Sequence, residues 1–245
     1  MAELDRNPEG GRIAEARLQL VSVAQWLARV ERSFASRNPG KELSLRWRAD
    51  RDAITTHDLG DAVELELRID GLTMQFTEDG RPSDHAIDVE ERSPAHVEAW
   101  ILIELLHRGL DRDRFSKDLP YDTSALLNGD GVEFSPGAYE GELKELADLF
   151  RIAASAVGRA ASSDATLRIS PRDLCVEAVA NGRTIGFSLG DARIAEPYFY
   201  VKGDASSAEP GRAATAILPA SRLAPENDSE AITAFYAGSG APTRH

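Results

Sequence analysis

Apolar residues recur at steps of three and four from about Arg12 to Ser36. Leu20, Val23, Leu27, Val30 and Phe34 fall on one stripe, and this spacing predicts an amphipathic helix with that face buried. Asn38-Pro39-Gly40 ends the pattern, and Leu43, Leu45 and Trp47 then alternate with polar residues as a half-buried strand does, with a second strand over Ala53 to His57. Val63, Leu65, Leu67 and Ile69 alternate up to Asp70-Gly71, and Leu72, Met74 and Phe76 alternate after it, which predicts a hairpin closed by a tight turn. A short strand is expected at Ala86 to Val89. Ser93-Pro94 then offers an N-cap and a first-turn proline for a helix through about Leu110. Its apolar residues occupy both faces, Trp100, Ile103, Leu106 and Leu110 against Ile101, Leu102 and Leu105, so this helix is expected to be buried all round.

Residues 111–136 hold no period and contain Pro120, Asn128-Gly129 and Asp130-Gly131, the marks of a long connection. A second long amphipathic helix is predicted from about Gly137 to Ala161, with Leu143, Leu146, Phe150, Ala153 and Val157 on its stripe. Strands are expected at Thr166–Ser170, Leu174–Ala180, Arg183–Leu189, Tyr198–Val201 and Ala213–Leu218, and a short helix from Asp228 or Ser229. The first helical stripe maps onto the second at a constant offset of 123, and Asp70-Gly71-x-Thr73-Met74-x-Phe76 matches Asn181-Gly182-x-Thr184-Ile185-x-Phe187. The reading is an α+β fold of antiparallel meanders flanked by helices. It divides into a first half at 12–110, a connecting segment at 111–136, a second, pseudo-repeated half at 137–237, and loose termini at 1–11 and 238–245.

Composition narrows the function classes. A net charge of −13, with 41 acidic against 28 basic residues, disfavours nucleic acid as a partner, because phosphate neutralisation needs clustered Lys and Arg. No basic leader and no long apolar run is present, so export and membrane association are not expected. The single cysteine, Cys175, allows no intrachain disulfide and fits a reducing, cytoplasmic compartment, where it is expected to be an inert, half-buried thiol.

The order of several short segments resembles a bacterial family designated only as a domain of unknown function. They are the Trp26 helix with Gly40-Lys41, Leu119-Pro120-Tyr121-Asp122, Glu196-Pro197-x-Phe199-Tyr200, and the closing Leu218-Pro219, Ala224-Pro225-Glu226 and Phe235-Tyr236. The resemblance covers most of the chain and implies no activity.

Candidate chemistry is sparse. His57-Asp58 and Asp84-His85 pair an imidazole with a carboxylate, so His57 and His85 are the candidate catalytic bases, although strand neighbours point to opposite faces. Glu104-x-x-His107 sets a carboxylate and an imidazole on adjacent turns, but no matching ligands are evident elsewhere, while His96 and His107 stand about 16 Å apart on a helix rising ~1.5 Å per residue. No metal and no cofactor is expected. Tyr198 and Tyr200 could line an apolar pocket with hydroxyl handles, and Arg46 and Arg168, matched between the halves, could bind an anion or simply pair with acids. The leading expectation is a non-catalytic binding module for a small molecule or a protein. The alternatives are a hydrolase-type enzyme with a histidine base in the crevice between halves, and a homo-oligomeric structural protein, so a homodimer stays among the partners considered.

Overall fold

The computed structural model describes residues 8–35, 42–129, 131–161, 166–204, 216–223 and 228–238. It is an α+β fold with two antiparallel sheets, and the chain separates into two compact units, Met1–Ala147 and Asp148–His245.

In the first unit, α1 (Pro8–Phe34) precedes a meander of β1 (Arg46–Arg48), β2 (Ala53–Thr55), β3 (Val63–Arg68) and β4 (Thr73–Glu78). Two-residue strands β5 (Arg81–Pro82) and β6 (Ile87–Asp88) both pair with β4 on the outer side of the sheet. The hairpin register runs Arg68↔Thr73, so its turn holds four residues, 69–72, and the buried Leu72 adopts a left-handed φ of 49°. Leu65, Leu67, Met74 and Phe76 point into the core. Helix α2 (Pro94–His107) starts from the predicted cap, which is a capping box between Ser93 and His96.

The two helices exchange the roles expected of them. Residues 19–28 of α1 are buried in an unbroken run, polar Gln19, Ser22 and Gln25 included. α2 instead buries Val97, Ile101, Glu104 and Leu105 and leaves Ile103 and Leu106 52% and 55% exposed. The reason lies in the connection at 111–136, which runs along α1 and satisfies its polar side chains. Tyr121 OH donates to Gln25 Oε1 at 2.9 Å, Leu127 N to Ser22 Oγ at 3.0 Å, and Ser135 N to Gln19 Oε1 at 3.2 Å. Buried polar groups are tolerated when they are bonded in this way.

In the second unit, the C-terminal part of α3 (Glu140–Ala160) and α4 (Asp228–Gly238) accompany the meander β7 (Arg168–Ile169), β8 (Val176–Ala180), β9 (Arg183–Ser188), β10 (Tyr198–Asp204) and β11 (Ala216–Pro219), in spatial order β11-β10-β9-β8-β7. The β8–β9 turn is a two-residue turn, Asn181 at φ 50° and Gly182 at φ 73°, as a type I′ hairpin requires. The matched Asx-Gly pairs of the two hairpins therefore sit in turns of different length. Phe187 is packed between Phe199, at a ring separation of 5.0 Å, and Phe150 of α3, edge-on at 6.3 Å. The expected strand at Ala213–Leu218 begins at Ala216, and its first three residues, like His245 and the 239–245 tail, lie outside the described residues. No helix among the described residues is long and apolar enough to cross a membrane.

Candidate functional site

Alternation along β10 sorts its side chains onto two faces. Phe199 and Val201 face the core shared with α3 and α4, whereas Tyr198, Tyr200 and Lys202 face the other way.

On the core face, the end of α3, the β8–β9 hairpin, β10 and α4 border a half-open pocket of about 520 Å³. Ile185, Val201 and Tyr236 supply its apolar lining, and Asn181, Arg183 and Thr233 its polar groups. Asp204 stands opposite Arg183 in the ladder. Tyr236 is fixed by donating its hydroxyl to Gly186 O at 2.9 Å, with its ring edge-on to Phe199 at 6.4 Å. Burial raises its phenol pKa, so it remains a neutral donor. The volume and the mixed lining are those of small-molecule sites.

The aromatic pair expected to line a pocket lies on the opposite face, where its hydroxyls are already bonded. Tyr198 OH donates to Asp191 Oδ2 at 2.8 Å, and Tyr200 OH to Glu177 Oε1 at 2.6 Å, an oxygen that also accepts from Lys202 Nζ at 2.6 Å. Burial, then the bond to Asp191, pushes the Tyr198 phenol up to about 12, and burial raises that of Tyr200 well above its usual value. Burial would raise Glu177, but the bonds from Lys202 and Tyr200 outweigh it and leave its carboxyl below the usual range. Cys175 is raised by burial, which agrees with an inert thiol.

Of the arginines, Arg46 is engaged within its own sheet, donating to Thr56 O at 3.2 and 3.1 Å and pairing with Glu64. Arg168 is exposed on β7, opposite Glu177 in the ladder.

Both candidate histidines find carboxylates distant in sequence, not the neighbours that suggested them. His57 Nδ1 lies 3.0 Å from Glu31 Oε1 on α1, while Asp58 accepts from Gly60 N at 2.9 Å. His85 Nδ1 lies 3.4 Å from Glu104 Oε1 on α2. Sequence reasoning missed Glu31, Glu104 and Tyr236 as partners. The available signals were a glutamate at an otherwise buried helical position, as Glu31 is between Leu27 and Phe34, and the Glu104-x-x-His107 spacing.

No family model, no curated protein and no solved structure matches the chain.

Proposed function

We propose that the protein is a non-catalytic binding module that takes a small molecule into the pocket between α3, α4 and the second sheet. The observation that carries this reading is the mixed lining of that pocket: an apolar floor from Ile185, Val201 and Tyr236, with Asn181 and Arg183 placed to hydrogen-bond a polar end, while Thr233 Oγ1 donates to Ser229 O at 2.7 Å within α4. A ligand of this kind is partly apolar, with acceptor atoms at one end. The negative net charge and single cysteine support a cytoplasmic, nucleic-acid-free setting.

Native mass spectrometry of the protein isolated gently from its own host tests the reading. Extra mass that leaves on denaturation, and that is missing from an Ala237→Trp variant of unchanged melting temperature, supports it. A bare polypeptide mass from both proteins overturns it.

A second reading, a hydrolase-type enzyme with His57 as base, draws on the Glu31 contact. A neutral His57 donating Nδ1–H to that carboxylate keeps the Nε2 lone pair available as an acceptor. Hydrolysis of p-nitrophenyl acetate above the buffer rate, lost in His57→Gln, would favour it; an unchanged rate in the variant would remove it.

A further inference from the structure

Three side chains of the first unit converge on one point. Glu104 and His107 lie one turn apart on α2, and the segment between β5 and β6 brings His85 to the same place, with one ligand atom from each residue within 4.8 Å of the others. His85 Nδ1 is 3.4 Å and His107 Nδ1 3.6 Å from Glu104 Oε1, and the two rings are tilted by 57° at 6.3 Å. Both separations exceed the usual N–H···O length of about 2.9–3.0 Å. They match instead the spacing of two ligands on a shared ion: donors ~2.1 Å from one metal and about 110° apart stand about 3.4 Å from each other.

The carboxylate is held for this task. Arg108 Nη1 donates to Glu104 Oε2 at 2.7 Å and to Glu104 O at 2.9 Å, and its guanidinium lies 4.6 Å above the Phe76 ring. Glu104 is 4% and Arg108 6% exposed, so the pair is locked by packing and turns Oε1 towards the imidazoles. Outer partners of this kind orient metal ligands in known sites. On its other side the Arg108 guanidinium meets Glu78, whose Oε1 is 3.0 Å from Arg108 Nε. The two imidazoles are more than half exposed, which leaves an ion accessible from solvent with room for an outside ligand.

We infer that His85, Glu104 and His107 form a binding site for one divalent first-row transition-metal ion of the Zn(II) class. Two imidazole nitrogens and one carboxylate oxygen suit such an ion, whereas Ca(II) and Mg(II) take oxygen ligands. His85 is the ligand that the Glu104-x-x-His107 spacing lacked, and it is supplied from a loop rather than from another helix.

Isothermal titration of the full chain with ZnCl2, and visible spectra after addition of CoCl2, test the inference. One ion per chain is expected, with d–d bands in the cobalt spectrum and a metal-dependent rise in melting temperature. His85→Ala and His107→Ala are each expected to weaken binding at least ~tenfold and to abolish the thermal shift, while Asp84→Asn leaves both intact. Both histidines are exposed, so these variants should fold even if Glu104→Gln, which disturbs a buried pair, does not. Absence of saturable binding, or equal binding by the wild type and the two histidine variants, would overturn the inference.

Discussion

The carboxylate of Glu31, 1% exposed on α1, receives both the backbone N–H of His57, at 2.7 Å on Oε2, and its ring Nδ1, at 3.0 Å on Oε1. One acid thus ties the segment after β2 to the most buried helix. His57→Ala keeps the backbone bond and loses the ring, leaving one buried oxygen unpaired. The expected loss is about 1–3 kcal/mol in urea denaturation. An unchanged midpoint would show that the ring is not holding the fold.

The two faces of α2 predict opposite responses to substitution. Ile103→Ser and Leu106→Ser remove side chains that are more than half exposed, and each should shift stability by no more than about 0.5 kcal/mol. Ile101→Ala, at a fully buried position, should cost about 2–5 kcal/mol. Guanidinium midpoints of the three variants check the assignment, and comparable losses in all three would contradict it.

Gly186 faces Tyr200 across the β9–β10 ladder, and a Cβ there would come within 2.6 Å of the Tyr200 Cζ and hydroxyl and of Val176 O. The tyrosine ring could swing aside, but the carbonyl belongs to the neighbouring strand. Gly186→Ala should therefore destabilise by about 3 kcal/mol, and adding Tyr200→Phe should not restore the loss. A melting temperature equal to that of the wild type would refute this close approach.

Two groups of the second sheet give pH dependence of opposite sense. The folded pKa of Glu177 is depressed, so its contribution is present above the ordinary value of 4.5 and is lost as pH falls through the folded value. Tyr198 is raised from 10 to about 12, so its contribution is complete below pH 10 and is lost as pH rises towards 12. The melting-temperature gap between wild type and Glu177→Gln should narrow on acidification, and the gap to Tyr198→Phe should narrow between pH 10 and 12. A gap constant with pH in either variant would contradict the corresponding assignment.

Periodicity made the elements legible because it is a local property. The α1 stripe, the Ser93-Pro94 start of α2 and the alternation on either side of Asp70-Gly71 and Asn181-Gly182 all became structure. Burial of whole helices was less legible. Gln19, Ser22 and Gln25 lie off the α1 stripe and find their partners in the 111–136 segment, and nothing in that segment's sequence marks it as their cover. The sites were the least legible part, since contact across a fold has no signature in adjacency. Asp58 and Asp84 drew attention by standing next to histidines, while Glu31 and Glu104, 26 and 19 residues from His57 and His85, make the contacts. Tyr198 and Tyr200 were expected at a pocket because they are aromatic, yet their strand parity sends them to the face opposite Val201.

The outer strands of both sheets are short and chemically guarded. Among the described residues, β5, β6 and β7 hold two residues each, β1 carries Arg46 and Arg48 tied to Glu64, and Pro82 and Pro219 remove amide donors from β5 and β11. A chain arriving edge-on meets few consecutive free amide and carbonyl groups to copy. Crowding copies of the native protein together therefore gives fibril growth little template, and seeding of that kind has to wait for the inner strands, β3 and β9 above all, to come apart.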